Sequence, residues 1–233
     1  MPMFRFTTCL LWLTYIISAS VTAATLTVDV TDAQGNMLSD SVVELISTAP
    51  LEATSTTEIT LPATAHYEMR QQDRVFYPFV LAVPEGANVD FPNLDRTRHH
   101  VYSFSEAKQF ELKLYVGTTA DPITFDKAGL VAIGCNIHDY MQAFIYVAKS
   151  PYFSVSDASG KIQLTDVPPG EYQVKIWHPW QIVAPASSSI ILNDGANQLA
   201  LSVDIEHQNK PSSPPSGFGA SDHASHMMGQ HAK

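Results

Sequence analysis

The chain has 233 residues, a formal net charge of −10 and a sequence pI near 5.2, with 45% of its residues hydrophobic. That length allows one large or two small domains, and the acidity excludes nucleic acid and anionic lipid as natural partners while favouring a basic docking face. Only two cysteines occur, Cys9 and Cys135, so cysteine chemistry is confined to very few places.

The N-terminus begins with a weakly positive region at Arg5. An apolar run over residues 9–17 follows, broken only by Thr14, and then small residues end at Ala23. This is the pattern of a secretory signal peptide over residues 1–23, cleaved after Ala23, and it predicts export to the periplasm. The run is too short for a membrane span of about 20 residues. Cleavage removes one Arg and no acid, which makes the mature chain one unit more acidic. It also leaves Cys135 as the single thiol, so no internal disulfide can form. In an oxidising compartment a lone thiol is either buried and inert or used, for instance as a metal ligand.

Beyond the leader the periodicity is that of strands. Leu26, Val28 and Val30 alternate with Thr27 and Asp29, the turn Asp32-Ala33-Gln34-Gly35 follows, and Val43 and Leu45 share a face. Residues 47–66 are rich in Thr, Ala and Pro and read as a linker or long loop. Further strands are predicted at residues 80–83, 89–91, 101–104, 110–115 and 143–148, separated by Gly86, Pro92, Gly117, Asp121-Pro122 and Gly129. Ile162 with Leu164, then Tyr172, Val174 and Ile176, then Leu199, Leu201 and Val203 continue the alternation, with Pro168-Pro169-Gly170 as punctuation. Short strands at this spacing predict an all-β protein, a sandwich or barrel. From about His207 the chain turns to Pro, Ser and small polar residues, too poor in apolar surface to offset ordering entropy, so 206–233 is expected to be disordered.

The chemistry-bearing stretch is Cys135-x2-His138-x2-Met141, on a tight loop between two strand-like runs. Thiolate, imidazole and thioether form a soft ligand set. A second histidine would complete the trigonal His2Cys arrangement with a long axial Met that blue copper uses. One Cys and two His also suit zinc, which would have no need of Met141. The second histidine must come from a distant strand, since one short loop cannot surround an ion. The stretch Asn93-x-Asp95-x3-His99-His100 supplies it, 36 residues before Cys135. Adjacent strand residues point to opposite faces, so only one of His99 and His100 can face the metal; the spacing to Asn93 favours His99.

With both segments in place, the sequence resembles the cupredoxins (plastocyanin, pseudoazurin and amicyanin among them). The loop spacing is similar to that of amicyanin, and residues 67–149 resemble bacterial cupredoxin-like proteins called methylamine utilisation proteins. The resemblance implies a Greek-key β-sandwich over 61–149 and a single type 1 copper held by His99, Cys135, His138 and Met141. It also implies single-electron carriage to or from a redox protein such as a c-type cytochrome or a dehydrogenase. The chain departs from the pattern at His100, where better-known members often have Asn, and at Asp139, where amicyanin has Pro. Ile137, Tyr140 and Pro92 are the expected rim of an electron port at the His138 edge. Separately, the two D-x-x-G turns (Asp32–Gly35 and Asp157–Gly160) and Pro168-Pro169-Gly170 resemble the carboxypeptidase regulatory-like (transthyretin-like) sandwich. On that resemblance, residues 24–60 plus 150–205 form a second small sandwich into which the middle segment is inserted.

Trp177-His178-Pro179-Trp180 reads as a packing cluster or a docking patch, and no Ser-His-Asp, phosphate-loop or paired-carboxylate arrangement points to an enzyme. The rival to electron carriage is copper delivery, storage or sensing, in which His223, His226, Met227, Met228 and His231 of the tail act as a loading arm. A binding module with a vestigial site is a third reading, opposed by the intact set of four donors.

Overall fold

The computed structural model describes residues 23–48, 66–118, 121–184 and 188–212. The expected signal peptide (apart from Ala23), most of the 47–66 linker and the His/Met part of the tail lie outside the described residues. Those that are described form seventeen strands and no helix, so none is long and apolar enough to cross a membrane.

In chain order the strands are β1 (Ala24–Asp32), β2 (Val42–Ser47), β3 (Tyr67–Glu68), β4 (Arg70–Gln72), β5 (Val75–Tyr77) and β6 (Val80–Pro84). Next come β7 (Ala87–Asp90), β8 (His99–Phe104), β9 (Gln109–Tyr115), β10 (Ile123–Phe125), β11 (Gly129–Cys135) and β12 (Gln142–Ala148). The last are β13 (Phe153–Val155), β14 (Lys161–Val167), β15 (Gly170–Trp177), β16 (Ser188–Leu192) and β17 (Gly195–Val203). The fold is therefore the all-β sandwich that the alternation predicts.

The two ends of the chain pair with each other. β1 lies between β14 (antiparallel) and β17 (parallel), and β2 lies between β13 and β15, with β16 at the edge. Every second residue of β1 (Ala24, Leu26, Val28, Val30) is fully buried, in the period-2 register its sequence dictates. These side chains share one core with Val43, Leu45, Ile162, Leu164, Val174 and Leu192 from both sheets. Each such aliphatic side chain contributes roughly 1.5–3 kcal/mol by leaving water.

The middle of the chain builds a separate core. A five-stranded sheet, β6-β12-β11-β8-β9, faces a smaller one, β10-β7-β3. Between them lie Val83, Val89, Phe91, Val101, Phe125, Val131 and Ile145, with Cys135 and Met141 at one end of the same cluster.

β2 departs from simple alternation. Val42, Val43, Glu44 and Leu45 are all buried, because the middle sheet covers the face of β2 that would otherwise meet water. The Glu44 carboxylate accepts the backbone N–H of Lys149 (2.7 Å) and Ser150 (2.7 Å) and the hydroxyl of Tyr146 (2.8 Å). Burial, reinforced by that carboxylate, pushes the Tyr146 phenol well above its usual range. Around this contact Trp177 packs edge-on to Phe144 at 5.6 Å and lies 6.1 Å from Tyr146, and Trp180 lies 5.7 Å from Phe79. Of the two expected roles for the Trp177–Trp180 cluster, the structure shows packing between the sandwiches.

Candidate metal centre

Two elements bring the cluster together. β8 begins at His99 and runs antiparallel to β11, pairing Val101 with Cys135 and Tyr102 with Gly134. β11 ends at Cys135, and the loop to β12 folds back on itself. The Cys135 N–H donates to the Met141 carbonyl at 3.1 Å, and the Met141 N–H donates to the His138 carbonyl at 2.9 Å. The x2-x2 spacing thus places His138 and Met141 over the strand end that carries the thiol. Asn136 N–H donates to the His100 carbonyl at 3.0 Å, which ties the loop to β8.

Cys135 Sγ lies 3.8 Å from His99 Nδ1 and 3.9 Å from His138 Nδ1. All three candidate ligand atoms lie within 4.8 Å of one another. Metal–S and metal–N bonds of about 2.3 and 2.0 Å at trigonal angles put ligand atoms about 3.7 Å apart, so the spacing fits one ion in the plane of these three atoms. Met141 is fully buried in the same core and closes the loop. The donors present therefore fit a soft transition metal.

The two adjacent histidines go opposite ways, as strand geometry requires. His99 is buried and turns Nδ1 to the thiol. His100 sits on the outer face, with Nε2 2.8 Å from Glu111 Oε1 and Nδ1 3.4 Å from Asn136.

Residues that the pattern flagged without assigning a role hold His99 in place. Asp95 Oδ2 pairs with His99 Nε2 at 2.8 Å, and Asp95 also accepts the N–H of Asp73 (2.8 Å) and Arg74 (2.9 Å). Asn93 is buried; its side-chain amide donates to the carbonyls of Thr97 (2.9 Å) and Tyr115 (2.7 Å), and its Oδ1 accepts the Asp95 N–H at 3.0 Å. Gln71 Nε2 donates to the Tyr115 hydroxyl at 2.7 Å, which donates to the Phe91 carbonyl at 2.6 Å. Gln71 and Tyr115 carry no motif signal; only the fold brings them here.

The electrostatics follow from burial and contact. Burial alone would raise the Cys135 thiol, but hydrogen bonds from His99, the backbone of His100 and Ile137, and His138 outweigh it and bring it down to about 6. For His99, burial favours the neutral ring, yet the contacts with Cys135 and Asp95 raise it above the usual histidine range. Burial would likewise raise Asp95, but the Arg74 N–H, His99 and the Asp73 N–H hold it low. A thiolate at neutral pH is the form a metal ligand needs.

The expected rim is only partly exposed. Ile137 is open to solvent, and the Tyr140 ring lies 5.9 Å from that of His138. Pro92 is buried instead, because its carbonyl accepts the Gln71 N–H at 2.8 Å inside the structure.

No family profile and no curated protein matches the chain. Solved structures do. The reduced Cu(I) form of an amicyanin point mutant at pH 4 shares 19% identity, covering 45% of this chain and 97% of that one, with a TM-score of 0.33. A purple cupredoxin from Nitrosopumilus maritimus shares 17%, covering 35% of this chain and 98% of that one, with a TM-score of 0.31. A Cu-containing nitrite reductase from Thermus scotoductus SA-01 shares 26%, covering 37% of this chain, with a TM-score of 0.34. This chain spans 23% of that reductase.

Proposed function

We propose that this is an exported type 1 copper protein that carries single electrons between redox partners in the periplasm. In this reading His99 Nδ1, Cys135 Sγ and His138 Nδ1 would hold one copper, with the Met141 thioether as a fourth donor. The observation that carries it is the convergence of one thiol and two imidazoles from β8, the end of β11 and the β11–β12 loop, with Sγ 3.8 and 3.9 Å from the two ring nitrogens, in a core that also buries Met141.

Bound copper would supply a one-electron couple at the cluster. The chain's residues do the rest. Asp95 fixes the ring orientation of His99, as outer partners of metal-bound histidines do. The Ile137 N–H points at Cys135 Sγ at 3.5 Å and tempers its charge. Zinc would take the same three donors but gains little from a thioether. Four protein donors leave no open position for a substrate, which suits a carrier rather than an enzyme. Residues 61–149 would carry the centre, with 24–60 plus 150–205 as the sandwich that holds it. The acidic chain favours a partner with a basic face, such as a c-type cytochrome or a dehydrogenase, met in weak, salt-sensitive encounters.

The test is voltammetry of copper-loaded protein. A reversible one-electron wave that persists over many cycles and is absent in Cys135→Ser supports the assignment. The same wave in Cys135→Ser contradicts it.

A further inference from the structure

The five-stranded sheet ends at β9, and among the described residues no strand pairs with its outer side. An edge strand leaves alternate N–H and C=O groups open to pairing with another chain. β9 reads Gln109-Phe110-Glu111-Leu112-Lys113-Leu114-Tyr115. Gln109, Glu111, Lys113 and Leu114 are exposed, and so is Val116 just beyond the strand. Gln109 pairs with Phe104, whose side chain is 81% exposed. This edge therefore carries apolar surface that gains by being covered.

A charged edge is usually a blunted one. Among the described edge strands, though, β9 is the one that places an acid and a base two residues apart, on one face of the strand. Two copies of β9 laid antiparallel about Leu112 set Glu111 of each opposite Lys113 of the other, and Phe110 opposite Leu114. A slip of one residue sets Glu111 against Leu112 and mismatches the faces. A slip of two sets Glu111 against Glu111, or Lys113 against Lys113, and like charges directly opposite destabilise a strand pair. The strand is thus complementary to itself in a single register. Glu111 Oε1 lies 2.8 Å from His100 Nε2, which leaves Oε2 for a second cation. Lys113 forms no ion pair among the described residues.

The chain's net charge of −10 opposes contact between two copies, so a matched acid–base contact is what self-association requires. A bulge limits its extent. Val101 pairs with Leu112 and His99 with Tyr115, so His100 stands against both Lys113 and Leu114. The added twist there confines regular pairing to residues 110–114 of each copy, and a contact that small is weak and reversible.

We propose that β9 is the interface of a weak, two-fold symmetric dimer of this chain, formed by antiparallel β9–β9 pairing about Leu112 with reciprocal Glu111–Lys113 ion pairs. The pairing joins the two five-stranded sheets into one and closes the free edge. It requires no metal in the buried cluster.

The test is sedimentation equilibrium of the full chain over concentrations up to about 1 mM. Wild type should show a reversible monomer–dimer equilibrium. Glu111→Lys alone and Lys113→Glu alone each put like charges opposite one another at both contacts, and each should weaken dimerisation about tenfold. Mixed in equal amounts, the two variants should form a heterodimer close to wild type in affinity, because each supplies the charge the other lacks. The double variant Glu111→Lys/Lys113→Glu should dimerise with itself as wild type does. Recovery in the mixture also excludes misfolding as the cause of the single-variant loss. Wild type that stays monomeric throughout, single variants that associate as wild type does, or a mixture and a double variant that both stay monomeric would each overturn the proposal.

Discussion

Asp95 shows how a single side chain sets the geometry of the cluster. It joins His99 to the backbone of Asp73 and Arg74, so the ring is fixed from behind while Nδ1 faces the Cys135 thiol. Asp95→Ala should leave the three donors in place yet lower copper affinity about 10–100-fold, measured by competition with a chelator of known affinity; unchanged affinity would deny Asp95 that role. At this scale the sequence was informative where ligand and partner share a loop. The Cys-x2-His-x2-Met spacing and the Asn93-x-Asp95-x3-His99 run pointed to the residues that converge. Gln71 and Tyr115 were not legible, because they reach the loop from β4 and β9 through a fold that no local pattern encodes. Pro92 was expected at the rim and is buried, since exposure there depends on β4 packing against it.

Among the strands, β8 and β11 approach each other closely beside the cluster. A Cβ on Gly134 would come within 3.1 Å of the Tyr102 ring and hydroxyl, so the ring lies across the residue before Cys135. Gly134→Ala should destabilise the protein by about 1–3 kcal/mol in urea unfolding. Adding Tyr102→Ser should recover most of that loss, and additivity of the two changes would contradict the contact. β2 makes the other decisive contact. Glu44→Leu strands two backbone N–H groups and the Tyr146 hydroxyl, and should cost about 3–5 kcal/mol, read by the same unfolding experiment; a loss under about 1 kcal/mol would mean that water replaces the carboxylate. Alternation revealed the inward faces of β1, β14 and β15, but not the short strands β3, β4, β5, β10 and β13 or the edge strand β16. In β2 it put Val43 and Leu45 on one face, where they share a core, but gave no sign that a second layer covers Val42 and Glu44 on the other.

Across the whole molecule, two sandwiches share an aromatic and polar seam, and His178 is buried within it, 3.1 Å from the Ser39 carbonyl and accepting the Trp180 N–H at 3.2 Å. Burial, aided by Lys210 and His207, lowers its pKa below the usual histidine value against the opposing pull of Ser39 and Asp40. The ring thus stays neutral when folded and binds a proton on unfolding below about pH 6.5. Stability from this group is full above that pH and is lost as pH falls toward the folded value. Urea midpoints should drop from pH 7.5 to 5.5, and the drop should shrink in His178→Gln; an equal drop in both would contradict this. The pairing of the chain's two ends was anticipated only through repeated turn motifs. The seam itself was not, because Glu44 meets Tyr146, and Phe79 meets Trp180, across more than a hundred residues of sequence.

In the proposed centre one thiolate and two imidazoles bind a single copper. The most direct measurement is the visible absorption of oxidised, copper-loaded protein, alongside Cys135→Ser and His100→Ala. One copper per chain at the buried cluster should give an intense thiolate-to-Cu(II) band, retained in His100→Ala and abolished in Cys135→Ser. A colourless oxidised holoprotein, or a band that survives loss of Cys135, would contradict it.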